Sequence, residues 1–260
     1  MGGESTTRTA PHSGGGISSG PVGSRTGQRL SGLAVALGLV LFLAGFGWGA
    51  LVYRPYTVPT SSMSPTIAAG DRVLAERIDG GEVRRGDVVV FTDKTWASDS
   101  AVVKRVVAIG GDTVACCTDG KLTVNGKQIE EPYLPAGSLA EIKNFPTVTV
   151  PDGRLFLLGD EREGSLDSTA HLSDAAQGTV ARGAVTARVD AVVWPMNGML
   201  KRPTGFETLG DLSRPGPLRT MGWMIVVGAV LVLGGGAYGP IAKRTSARRG
   251  RNQPEPAGAR

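Results

Sequence analysis

The sequence predicts a mainly β protein: a bent, partly closed antiparallel β domain flanked by two transmembrane helices. Three observations carry that expectation. Two long stretches contain no charged residue, and short β-branched runs bounded by turn residues fill the segment between them. Gly and Pro, 39 and 16 of the 260 residues, punctuate that middle segment. They recur about every eight to twelve residues, which favours a bent all-β arrangement over an α/β one.

The first uncharged stretch is Leu30 to Tyr53, 24 residues rich in Leu, Val, Ala and Gly. As a helix it reaches about 36 Å, enough to cross a hydrocarbon core of roughly 30 Å with some tilt. A cleaved signal peptide is the alternative, but this run exceeds the roughly 7–15 apolar residues such a segment needs. The second stretch is Thr220 to Ala242, 23 residues with Trp223 and Tyr238 near its ends. A buried core helix is the alternative there, and the basic flanks favour a span.

The net charge of +5 first suggests nucleic acid as partner, and its distribution excludes that reading. Residues 1–53 carry +2, residues 220–260 carry +5, and residues 54–219 carry −2. Positive flanks stay on the cytoplasmic side, so both termini are expected inside and the middle outside. The expected order is a disordered Gly/Ser/Thr-rich tail at 1–29, a span at 30–53, an extracytoplasmic β domain at 54–219, a span at 220–242 and a basic tail at 243–260.

Within the middle, Arg72 to Arg77 follows the turn pair Gly70-Asp71, and Asp87 to Phe91 follows Gly86. Ala101 to Val107 leads to Gly110-Gly111-Asp112. Thr113 to Ala115 and Lys121 to Val124 flank the hairpin signal Asp119-Gly120, and Asn125-Gly126 supplies another. Leu155 to Leu158 ends at Gly159-Asp160, and Ala184 to Trp194 is a longer strand.

Several catalytic solutions are missing. The two His are His12, in the tail, and His171, so an H-E-x-x-H zinc site is impossible and a Ser-His-Asp triad rests on His171 alone. His171 reads as a surface residue. No phosphate-binding glycine loop occurs, and Arg162, at a ligand position, spoils the calcium reading of Gly159 to Gly164. Neither metal nor cofactor is expected. Three polar features remain: the cluster Pro59-Thr60-Ser61-Ser62-Met63-Ser64-Pro65-Thr66-Ile67, Lys104 inside an apolar strand, and the turn Gly159 to Ser168. Taken singly, each has a plain reading: a juxtamembrane linker, an outward-facing strand residue and a solvated loop. Cys116 and Cys117 are adjacent on the side where disulfides are permitted, and whether they pair stays open.

Together and in this order, the three features resemble the boxes of the bacterial type I signal peptidases, membrane-bound Ser/Lys endopeptidases. Pro59 to Ile67 with Gly70-Asp71-Arg72-Val73-Leu74 resembles the nucleophile box. Lys104-Arg105-Val106-Val107-Ala108-Ile109-Gly110-Gly111-Asp112 resembles the lysine box, and Gly159-Asp160 to Asp167-Ser168 the third, usually G-D-N-R-D-N-S-x-D-S. The resemblance covers about residues 30–200. It implies Ser62 as nucleophile, Lys104 as general base, and the Thr60 hydroxyl with the Ser62 N–H as oxyanion hole. It also implies that Ser165 holds the Lys104 amine, and that Asp167 and Arg162 support the turn. Val58, Met63, Ile67, Val102 and Val103 fall at the substrate-binding positions. Glu161, Glu163 and Gly164 depart from the third box, as does Thr169, which stands where a basic residue often pairs with the Asp.

The physics constrains this reading. A Lys with an ordinary pKa near 10.4 is protonated at neutral pH, so as a base it needs desolvation, which Val102, Val103, Val106 and Val107 can supply. The implied substrates are signal peptides of exported preproteins, met at the lipid surface close to the export machinery. Two rivals share the sequence: an inactive membrane-anchored β domain that binds or scaffolds exported proteins, and a specialised processing peptidase with few clients.

Overall fold

The computed structural model describes residues 25–118, 120–135 and 144–251. They fall into two compact units, one holding residues up to Leu43 and from Met224 onward, the other Ala44–Trp223. The helices are α1 (Arg25–Val52), the short α2 (Lys94–Ala97) and α3 (Leu218–Arg251).

Two segments, Gly27–Val52 and Leu218–Tyr238, are long and apolar enough to cross a bilayer. Helix α1 starts at Arg25, so residues 25–29 are helical where a disordered tail is expected, and it ends at Val52, one residue before the expected limit. Helix α3 continues to Arg251, through part of the expected basic tail. Ala, Lys and Arg in that stretch are good helix formers. The rest of the two tails, residues 1–24 and 252–260, lies outside the described residues. In the helical unit the backbones approach closely at small residues. A Cβ on Gly38 would sit 2.7 Å from the Gly228 carbonyl oxygen, and Ser31 Oγ donates to the Gly235 carbonyl at 2.7 Å.

The second unit is antiparallel β throughout. Its strands are β1 (Tyr53–Thr57), β2 (Arg72–Arg77), β3 (Val88–Phe91), β4 (Val102–Ile109), β5 (Thr113–Thr118), β6 (Lys121–Val124), β7 (Lys127–Gln128), β8 (Phe145–Thr149), β9 (Arg154–Leu158), β10 (Val180–Ala181), β11 (Val185–Trp194) and β12 (Gly198–Met199). The main sheet has the order β1-β2-β11-β3-β4-β9-β10, with β12 on β11. A second sheet runs β7-β6-β5-β8. Bulges in the β11 pairings with β2 and β3 bend the main sheet.

The strands read from the sequence are present to within a few residues. The Asp119 half of the first hairpin signal lies outside the described residues, and β5 and β6 flank it. Strand β8 carries Pro146, which weakens its signal and suits its place at the edge of the second sheet. Strands β7, β10 and β12 are two residues long, too short to show a period. Strand β4 lies between β3 and β9 and is buried from Lys104 to Ala108, on both faces. That double burial overrides the alternation that would have sent Lys104 to solvent.

Candidate active site

The segment after β1 is folded back on itself. Val58 N–H donates to the Asp71 carbonyl at 2.9 Å and Gly70 N–H to the Val58 carbonyl at 2.7 Å. Gly70 takes φ +91°, a conformation that L side chains rarely adopt. Inside this loop Ile67 N–H donates to the Met63 carbonyl at 2.9 Å. Met63 and Ile67 are fully buried in a cluster with Val58, Val73, Val88 and Val189. These apolar anchors leave Ser62 at the mouth of a cavity of about 400 Å³.

Lys104 enters the same cavity from β4, and its Nζ donates to Ser62 Oγ at 2.7 Å. Burial pushes the Lys104 pKa down, against the pull of the Asp167 and Asp160 charges. Thr60 Oγ1 lies 3.3 Å from Ser62 Oγ. The sequence-predicted Lys104 and Thr60 are therefore each within hydrogen-bond reach of Ser62 Oγ.

The third turn packs against the Ser62 loop through its backbone. Glu161 N–H donates to the Ser62 carbonyl at 3.1 Å. A Cβ at Gly159 would collide with that carbonyl and with Ser165 Oγ, so this position requires Gly. Arg162 Nε donates to the Gly159 carbonyl at 2.9 Å, and Gly159 N–H donates to Asp167 at 3.0 Å. Asp167 and Arg162 thus hold the two peptide units that flank the Gly159 Cα. Thr169, at the position expected to weaken the turn, donates to Asp167 from its N–H at 3.0 Å and its hydroxyl at 2.7 Å.

Three sequence expectations change. Ser165 is buried with its hydroxyl against Gly159, and Oγ has no hydrogen-bond partner among the described residues, so it does not hold the Lys104 amine here. Met63 and Ile67 belong to the core below the nucleophile, while Val58, Val102 and Val103 line the cavity. His171 is not a plain surface residue. It lines the cavity, stacks on Trp96 at 4.5 Å with an interplanar angle of 12°, and shares a 2.8 Å contact with Asp174.

Sequence reasoning also missed a buried ionic layer under the turn. Arg105 grips Asp160 with Nε and a terminal nitrogen at 2.7 and 2.6 Å and lies 3.8 Å over the Tyr133 ring. Thr66 Oγ1 donates to Asp160 at 2.5 Å. Arg162 makes two bonds to Glu131, at 2.8 and 2.5 Å, and the Tyr133 hydroxyl donates to the same carboxylate. Glu131 follows β7 of the second sheet, and no local pattern marks a partner 31 positions away. Cys116 and Cys117 are joined as a vicinal disulfide within β5.

Comparison with known proteins shows which family the chain resembles. The family described as "Signal peptidase, peptidase S26" matches residues 30–194. Signal peptidase I of Mycobacterium tuberculosis (strain CDC 1551 / Oshkosh) is 34% identical over 193 residues, covering 55% of this chain and 66% of the relative. The chain thus spans just under two thirds of that relative. Signal peptidase I T of Bacillus subtilis (strain 168) is 32% identical over 176 residues, covering 64% of this chain and 84% of the relative. A crystal structure of a signal peptidase I from Enterococcus faecalis V583 overlays 46% of this chain and 97% of its own, with 25% identity and a TM-score of 0.33. With more than half of the chain matched, a span that contains Ser62, Lys104 and the whole turn from Gly159 to Ser168, the protein belongs to the signal peptidase family of S26 peptidases.

Proposed function

We propose that the chain is a membrane-anchored serine endopeptidase that removes signal peptides from exported preproteins, with Ser62 as nucleophile and Lys104 as general base. The observation that carries it is the 2.7 Å contact between Lys104 Nζ and Ser62 Oγ, made by a desolvated lysine in a family of signal peptidases. A neutral amine at that distance accepts the hydroxyl proton as Ser62 Oγ attacks the carbonyl carbon. The oxyanion is met by the Thr60 hydroxyl and the Ser62 N–H, and loss of one such donor typically costs about 3–4 kcal/mol. The protonated Lys104 then gives its proton to the leaving amine as the C–N bond breaks, leaving an ester on Ser62. Lys104 next takes a proton from water as it attacks the ester, and returns it to Ser62 Oγ as the acid product leaves, restoring the hydroxyl and the neutral amine.

Register supports an extended substrate. Strand β9 pairs with β4 only from Arg105 onward, so Val102, Val103 and Lys104 have no strand on that edge among the described residues. Strand β1 ends the main sheet, and the chain beyond it lines the same cavity. A polypeptide laid between these edges gains main-chain hydrogen bonds, and its small residues face Val58, Val102 and Val103. Two spans with both termini cytoplasmic put this cleft outside, beside lipid and close to the export machinery.

The full chain purified in detergent should cut a preprotein at its signal peptide, and Ser62→Ala and Lys104→Ala should each lower the rate by at least about 10³-fold. Full activity in Lys104→Ala would remove the dyad. An uncut preprotein after prolonged incubation with the unsubstituted chain would remove the enzyme reading.

A further inference from the structure

We propose that the stacked pair Trp96–His171 is a specificity wall, against which the bound polypeptide places an apolar side chain about four residues from the bond that is cut. The proposal rests on the peptidase reading above and adds a contact to it. The cavity that contains Ser62 and Lys104 extends along Lys104, Val103, Val102, Ala101 and Ser100 to Trp96 and His171. Strand β4 begins at Val102 and the cavity lining continues through Ala101 and Ser100, so a substrate strand that starts beside Lys104 and runs this way reaches the pair after about four residues, or about 13 Å.

The wall is held from both sides. Trp96 meets the fully buried Phe91 of β3 edge-on, with centroids 5.4 Å apart and an angle of 82°. His171 lies flat on the other face of the pair and is tied to Asp174 at 2.8 Å. A second cavity of about 440 Å³ is also lined by Trp96 and His171, together with Thr95, Ala176 and Thr179. The two rings thus border both spaces. Leu166 lines the catalytic cavity with 74% of its surface exposed, adding apolar area for a side chain to cover. The flat faces of the ring pair offer dispersion and desolvation, which favours an apolar occupant of limited size. Removing the indole enlarges the space at this end of the cavity, and larger occupants then fit.

The test uses the full chain in detergent with a set of peptides that keep the small residues around the cut. Ala, Leu, Phe or Trp is placed in turn at each of the six positions on either side of the bond. For Trp96→Ala, the Trp-to-Ala ratio of kcat/KM should rise about tenfold, the usual worth of a change in pocket size, at a single position three to five residues from the bond. His171→Ala should move the same position in the same direction. Parallel profiles for the unsubstituted chain and both variants, at every position on both sides, would overturn the wall. Since folding can be lost with an indole, Trp96→Phe is run beside it, and an unchanged profile in a variant that melts with the parent also counts against the wall. Failure of the unsubstituted chain to cut the all-Ala peptide would overturn the peptidase reading, and the wall with it.

Discussion

Strand β4 carries two cations side by side, and the two faces of the strand treat them in opposite ways. On one face Arg105 is clamped by Asp160, bonded to the Gly86 carbonyl at 2.9 Å and stacked on Tyr133. Burial alone would depress Arg105, and the Asp160 carboxylate more than restores it, leaving its pKa raised. On the other face Lys104 meets a hydroxyl. Among the described residues Arg105, Arg162 and Arg188 are buried cations in contact with a carboxylate, and Lys104 is the buried cation without one. Burial thus leaves the pKa raised where a carboxylate touches the cation, and lowered where the carboxylates stand off. The proposed chemistry at Ser62 depends on that difference.

The comparison can be broken most severely on the Arg105 face. Arg105→Ala leaves Asp160 buried without its partner and should cost about 3–5 kcal/mol, read as a lower denaturation midpoint. Lys104→Met should lose all cleavage and none of that stability, because a desolvated, unpaired amine is replaced by an apolar side chain of similar length. A Lys104→Met chain as unstable as Arg105→Ala would show that the two faces do not differ. The next effect is on the rate. Because the neutral amine is the active form and its pKa is lowered, kcat should be high above that pKa and fall about tenfold per pH unit below it. The smallest effect separates charge from burial. Asp167 opposes the depression of Lys104, so Asp167→Asn should lower the Lys104 pKa further and move the acid limb of the kcat profile to lower pH. A limb that moves to higher pH would mean that Asp167 acts on Lys104 other than through its charge.

Much of this was legible in the sequence, for reasons that differ by element. The spans follow from two uncharged runs, and Arg72 to Arg77 follows from a local alternation bounded by Gly70-Asp71, so both are visible in a short window. Ser62, Lys104 and the third turn are visible as motifs because their order and spacing are characteristic. The fate of Lys104 was not readable from β4 alone, since the same letters suit a half-exposed strand. It is decided by β3 and β9 on either side. Glu131 and Trp96 were missed because their partners, Arg162 and His171, are brought to them by tertiary packing and not by any local period. The misplacement of Met63 and Ile67 has a related cause: apolar residues beside a nucleophile can face a substrate or a core, and only the turn from Met63 to Ile67 decides between them.

The bond from Glu161 N–H to the Ser62 carbonyl changes how the third turn's unusual lettering should be valued. Main-chain donors exist at nearly every residue, so a coupling made this way survives exchange of the side chain that happens to sit there. Glu161 keeps the turn closed by accepting the Gly164 N–H at 2.8 Å, and Glu163 faces solvent. Drift in the letters at these positions therefore leaves the nucleophile's anchorage where it was. The intolerant position is Gly159, where any side chain at all would push the two loops apart.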